Sequence, residues 1–342
     1  MRKFILASCV AATVAVVGCG EKKPVLNVYN WSEYLDKDIV EEFQKENNCR
    51  VVVDVFNSNE AMLAKIQAGA KGYDIIFPSS YMVKLMAQNG LLDKIDKSKI
   101  STLSNIDPAY ISTALDPTME YGVPYMVTFT GIAYRGDSVK DLDTSWDVFE
   151  KRTDLKGRMT LLDDMRETIG AALKFKGYSA NSTNPAELAE ARDEIIKWKT
   201  NIAKFENEQY KNGIANSEFL LVHAYHGDIG QVQLEDSNIK FFLPREGFLV
   251  SCDEMVIPKD AADKDLAYKF IEFIHKGEIA ARNMAFTTYW CPNSAALPFM
   301  TEEDKSSIIP SAEDFQRGEV IDDVGESLRL YTETWDKIKA AK

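Results

Sequence analysis

Two adjacent acids in the middle of an apolar run pose the first chemical question. Phe248 to Ile257 is mostly apolar and ends at Pro258, the pattern of a β-strand, yet Asp253 and Glu254 sit at its centre. Side chains alternate along a strand, so Asp253 shares a face with Leu249, Ser251, Met255 and Ile257. Glu254 takes the other face. The alternation predicts one acid that reaches solvent and one drawn inward. A carboxylate held inside must meet a cation or several donors, or take up a proton. The nearest bases, Arg245 and Lys259, lie outside the run. A base from elsewhere in the chain, exposure at a sheet edge and a bound cation all remain open.

Aromatic and acidic residues recur where other predicted strands end. Tyr29-Asn30-Trp31-Ser32-Glu33-Tyr34 follows the first strand, and Pro78-Ser79-Ser80-Tyr81 the third. Asp163-Asp164-Met165-Arg166-Glu167 opens a helix after Met159–Leu162, Tyr225-His226-Gly227-Asp228 ends another strand, and Tyr289-Trp290-Cys291 closes a helix. Ligands of open α/β sheets sit at the carboxyl ends of strands. Each segment also has a local role open to it. Asp164 and Glu167 fit a capping box, Ser79 a helix cap, Tyr225 to Asp228 a turn, and Trp31 and Tyr34 packing beneath their loop. Catalytic signatures are missing: there is no G-x-S-x-G, P-loop or G-x-G-x-x-G. The three histidines, His223, His226 and His275, lack the spacing of a metal set.

Alternating strands and helices position these segments. Strands are expected at Val25–Tyr29, Arg50–Phe56 and Tyr73–Phe77, with helices at Asp36–Glu46, from Asn57-Ser58-Asn59-Glu60 through Lys65 with Gly69 ending it, and over Tyr81–Gln88. Thr128–Tyr134 reads as a connecting strand. A long amphipathic helix is expected over Pro185–Phe205, its stripe running through Leu188, Ile195, Trp198, Ile202 and Phe205. Strands then fall at Glu218–Tyr225, Ile239–Leu243 and the acid-bearing run, and helices at Ala261–His275 and from Val324 to Ile338. This is an α/β chain of two lobes with crossing strands and a cleft between them, where ligands commonly bind. The lobes are expected at 25–130 plus 253–295 and at 131–252 plus 296–342.

The first residues are a targeting segment. Arg2 and Lys3 precede an apolar stretch from Phe4 to Val17, and Val16-Val17-Gly18-Cys19 is similar to a bacterial lipobox. Residues 1–18 are read as a signal peptide, Cys19 as the lipidated residue and 19–24 as a tether. The protein is then exported and anchored to a bacterial membrane by lipid. Removing residues 1–18 takes away two bases and no acid, so the net charge goes from −13 to −15. That surface disfavours nucleic acid and attracts cations. Cys49, Cys252 and Cys291 remain; buried free thiols are expected, and export leaves a Cys252–Cys291 disulfide open.

Tyr29-Asn30-Trp31-x-Glu33-Tyr34, Gly72-Tyr73-Asp74-Ile75-Ile76-Phe77-Pro78-Ser79, Asp163-Asp164-x-Arg166-Glu167 and Asp322-Asp323-Val324-Gly325 together carry a family likeness. From about Leu26 to the last helix the chain resembles the polyamine-binding proteins of ABC importers, the spermidine/putrescine group of type II solute-binding proteins. The resemblance implies a linear polyamine held in the interlobe cleft, between aromatic walls and with carboxylates at its ammonium ends. It carries the ligand-binding role onto Trp31, Ser32, Glu33, Tyr34, Ser79, Tyr81, Asp164, Glu167, Tyr225, Ser251, Asp253 and Tyr289. It also implies no cofactor, no catalysis, a monomer, and delivery to an importer's membrane subunits. A sensor subunit for a membrane receptor, or a same-fold binder of another small cation, stays open. Ser251, Tyr225 and Ile321 depart from the spermidine binders, which carry Trp, Trp and Gln there. Asp228 stands where putrescine-specific relatives keep an acid. The departures point to putrescine bound at least as well as spermidine.

Overall fold

The computed structural model describes residues 23–341. The signal peptide, Cys19 and most of the tether lie outside the described residues. Among the described residues there are ten strands: β1 Val25–Trp31, β2 Arg50–Phe56, β3 Ile75–Ile76, β4 Gly122–Arg135, β5 Met159–Leu161, β6 Lys204–Phe205, β7 Leu221–Tyr225, β8 Ile239–Phe242, β9 Phe248–Val256 and β10 Gly318–Val320. They run in the order β2-β1-β3-β9-β4-β7-β5-β6, with β10 on β9 and β8 on β4.

The two halves of this order are parallel units. β1 pairs in parallel with β2 and β3, and β5 with β6 and β7. Their connections are helices that bury one stripe each, such as Lys37–Asn47, which puts Ile39 and Phe43 into the first core. A second core gathers Trp146, Phe149, Ile169, Leu188, Trp198 and Tyr331. β4 and β9 pass between the halves as an antiparallel pair, from Gly122↔Val256 to Phe129↔Val250, and β4 then continues against β7 and β8. Pro124 is accommodated inside β4 because the register slips there, between Pro124↔Glu254 and Met126↔Asp253. A bulge is where a central strand tolerates a missing N–H.

Several expectations shift. The long helix stops at Lys199, and Phe205 belongs to β6 instead. An apolar stripe continues through both, and periodicity cannot separate them once the chain turns at Thr200 and Asn201. Ala296, Met300 and Ile308 pack into the first core, on the opposite side from the lobe division expected for 296–342. Cys49, Cys252 and Cys291 are buried free thiols, and Cys252 and Cys291 are not bonded to each other. No helix among the described residues is long and apolar enough to cross a membrane.

Candidate functional site

The strand ends converge on one cavity of about 100 Å³ between the two halves, several times the roughly 10–15 Å³ that one water needs. β1 ends at Trp31, whose indole N–H donates to the Phe77 carbonyl at 2.8 Å and whose ring lies 4.3 Å from that of Phe56. Tyr34 stands edge-on to Tyr289, with ring centres 4.9 Å apart. Tyr289 can lie there because residue 227 is glycine: a Cβ on Gly227 would run into its ring. These rings give the cavity its apolar walls.

The acids enter from separate segments. Asp253 projects from β9, only 6% exposed. It accepts from the Ser79 hydroxyl at 2.7 Å and the Tyr34 hydroxyl at 2.9 Å. Ser79 stands at the N-cap of the helix Ser80–Gln88 but gives that helix no side-chain hydrogen bond. Asn59 buttresses it instead, from the helix after β2. Asp164 does cap its helix, Met165–Phe175, accepting from the Arg166 and Glu167 N–H groups at 2.9 and 3.0 Å. Its other oxygen takes the Tyr225 hydroxyl at 3.3 Å. Glu167 does not complete the box; it turns inward and accepts from Thr130 at 2.7 Å.

Electrostatically this end of the cavity is incomplete. Burial pushes Asp253 up to about 7, against the hydrogen bonds from Ser79 and Tyr34. Burial, with Asp164 alongside, pushes Glu167 up to about 8, and burial also raises Asp164. Among the described residues no lysine or arginine forms an ion pair with any of the three. Arg166 lines the cavity, but its guanidinium donates to the Asp322 carbonyl and to Asn181, stacked over Tyr331 at 4.7 Å. Three carboxylates from different elements therefore face one space with no ion pair of their own; the Arg166 charge nearby lowers Asp164 and Glu167 but does not offset their burial. Such a set takes up protons or binds a cation.

Residues 38–307 match the family described as bacterial extracellular solute-binding protein. The chain belongs to that family. It is 33% identical to the spermidine/putrescine-binding periplasmic protein of Escherichia coli over 344 residues, covering 99% of each chain. It is 32% identical to the putrescine/cadaverine-binding protein of Pseudomonas aeruginosa over 357 residues, again 99% of each. Among solved structures it is similar to the Treponema pallidum lipoprotein TpPotD, with a TM-score of 0.84 and 33% identity over 92% of this chain and 99% of that one. Close structural matches of this kind are two-lobed type II binding proteins, and the solute-binding fold here is the same.

In this solute-binding protein, Trp31, Ser32, Tyr34, Ser79, Tyr81 and Asp164 all line the cavity, as do Glu167, Tyr225, Asp228, Ser251, Asp253 and Tyr289. Glu33 does not. It adopts a left-handed backbone (φ 53°), is 65% exposed and pairs with Lys211 at 2.6 Å. Asp228 accepts from Tyr210 at 2.5 Å and from Tyr289 at 3.0 Å and has Lys211 at 3.8 Å. Glu254, expected at the surface if Asp253 turned inward, is buried as well. β9 is central to its sheet, and the helix Ser80–Gln88 covers its second face.

Phe56, Asn59, Thr128, Arg166 and Glu208 also line the cavity and were not singled out as ligand contacts. The carboxyl-end rule applied to β2 would have found Phe56. Thr128 could have come from its pairing with Ser251 across the crossing strands. No signal in the sequence places Glu208.

Proposed function

We propose that this solute-binding protein holds a linear polyamine, putrescine and/or spermidine, in the interlobe cavity and hands it to the membrane subunits of an ABC importer. One observation carries the reading: Asp253, Glu167 and Asp164 converge on an aromatic-walled slot and none of them forms an ion pair there, the Arg166 guanidinium being taken up by Asp322 and Asn181. An alkylammonium has three donors and no acceptor, which suits oxygens with spare lone pairs. The four methylenes of putrescine gain on the order of 3 kcal/mol from burial, and Trp31, Tyr34 and Tyr289 add cation–π attraction. The spermidine/putrescine and putrescine/cadaverine names of the relatives support the same class of ligand.

The ligand set is Trp31, Ser32, Tyr34, Ser79, Tyr81, Asp164, Glu167, Tyr225, Asp228, Ser251, Asp253 and Tyr289, with Glu33 acting from the rim. One lobe comprises 25–130 and 253–295, extended by the segment around Ala296–Ile308, and the other the rest of the mature chain. Closing the lobes on an empty site buries like charges together, and closing on a dication neutralises them; the ligand therefore favours the closed form. Contacts such as Lys84–Asp322 at 3.1 Å and Gln88–Asp323 at 3.3 Å tie the halves once closed. The protein is a monomer, makes no product from its ligand, and is anchored by lipid on Cys19, as a lipoprotein relative supports. Putrescine binds at least as well as spermidine, through Asp228. Calorimetric titration of both amines tests this. Putrescine should bind as tightly or more tightly, and Asp228→Asn should weaken it; a clear spermidine preference untouched by Asp228→Asn overturns the preference.

A further inference from the structure

The acids in and around the cavity differ by one cation. Asp253, Glu167 and Asp164 form no ion pair, whereas Glu33 and Asp228 share Lys211, whose Nζ lies 2.6 Å from Glu33 Oε2 and 3.8 Å from Asp228 Oδ1. Glu33 belongs to the segment after β1 and Asp228 to the helix after β7, so the lysine bridges the two halves. It sits in the short helix Tyr210–Ala215 with its side chain only 16% exposed. Tyr210 beside it is buried and donates to Asp228, which fixes the helix beside the cavity. Burial pushes the lysine's pKa down, but Asp228, Glu33 and Glu208 more than compensate and hold it above its ordinary value.

An alkylammonium held between carboxylates of opposite halves is what a ligand's own terminal nitrogen would be. We infer that Lys211 is a built-in ammonium seated just outside the slot, behind Asp228, and so selects diamines against triamines. This rests on the polyamine reading of the site. The distances divide the two acids. Lys211 holds Glu33 closely and Asp228 loosely, and only Asp228 lines the cavity. The second nitrogen of a short diamine therefore still finds Asp228. A third nitrogen, reaching on toward Glu33, meets a positive charge already seated there. Discrimination by a repulsive element of this kind is a common route to specificity.

Putrescine and spermidine titrated into the wild-type protein and into Lys211→Gln, Lys211→Arg and Glu33→Gln test the inference. The wild type should prefer putrescine, and Lys211→Gln should move the affinity ratio toward spermidine by about tenfold or more, since apposed like charges are costly. Lys211→Arg keeps the charge and should keep the preference. Glu33→Gln leaves Lys211 to Asp228 alone and should give spermidine no gain. A Lys211→Gln ratio within about twofold of wild type, when folding is intact by thermal midpoint, overturns the inference. So does a spermidine gain in Lys211→Arg or Glu33→Gln, two variants that do not depend on Lys211→Gln folding, or a wild-type preference for spermidine. If the wild type binds neither amine, the polyamine reading fails and takes this one with it. If it binds both and only the ratio refuses to move, Lys211 alone loses its role.

Discussion

Asp253 and Glu254 are neighbours on β9 that look alike by every local measure. They point to opposite faces, are 6% and 5% exposed, and accept from consecutive serines, Ser79 and Ser80. Burial pushes each up to about 7. Their surroundings differ. Asp253 faces Asp164 and Glu167, brought from other segments, across an aromatic slot. Glu254 opens on a depression of about 360 Å³ between the helix Ser80–Gln88 and residues 115–121. The acids there have partners of their own: Asp116 takes the Thr118 and Glu120 N–H groups, and Glu120 pairs with Lys94. Gly122 has no Cβ because the Glu254 carboxylate occupies that place. A buried, unpaired acid is therefore no mark of a ligand by itself. Convergence of several such acids from separate elements on one walled space is.

The widest separation should appear in ligand affinity. Asp253→Asn is expected to weaken polyamine binding by roughly 2–5 kcal/mol, the range for stripping one partner from a buried charged pair. Glu254→Gln should change it by less than about 0.5 kcal/mol. Calorimetry on the two variants checks both, and equal losses would erase the distinction between the faces.

Stability against pH should reverse the ranking. An acid whose folded pKa is raised contributes stability in full below its unfolded value and loses it as pH rises through the folded value. For Glu254 that window runs from about 4.5 to about 7, and the loss above it is on the order of 3 kcal/mol. Glu254 lies within one half of the molecule, so opening the cleft does not relieve it. Asp253 regains water when the lobes part. Urea unfolding of ligand-free protein should show wild type losing stability between pH 5 and pH 8, Glu254→Gln losing markedly less, and Asp253→Asn close to wild type. A flat wild-type curve would remove Glu254 from the argument.

Much of this site was legible because strand ends and side-chain alternation are local properties. Trp31, Ser79, Asp164 and Tyr225 all follow from the rule that ligands gather at the carboxyl ends of parallel strands. Asp253 follows from its place in an apolar run. What depends on distant packing was not legible. Glu254 is buried only because the helix Ser80–Gln88 covers that face of β9. Glu33 is drawn out of the slot by a lysine nearly 180 residues away in sequence. The capping-box reading of Asp164 and Glu167 was half right, since Thr130 on the crossing strand competes for the glutamate. Phe205 carries a helical stripe into a strand, and no period marks where one stops.

The smallest difference to look for lies in the two serines. Ser79 offers its hydroxyl to Asp253 and none to the helix it precedes, so Ser79→Ala removes a ligand-site hydrogen bond without uncapping a helix. Losing that bond should weaken polyamine binding at pH 7 by about 1 kcal/mol, the net worth of one such bond. Ser80→Ala, which deprives Glu254 in the same way, should leave binding alone. The sign of the pH effect follows from which form the bond favours. Ser79 lowers the pKa of Asp253 by donating to its ionised form, and without it the acid stays protonated to higher pH. The ligand then has to displace a proton more often, so the deficit of Ser79→Ala should shrink as pH rises from 7 to 9, where the acid is ionised in both proteins. A deficit constant across that range would mean that Ser79 touches the ligand itself rather than acting through Asp253.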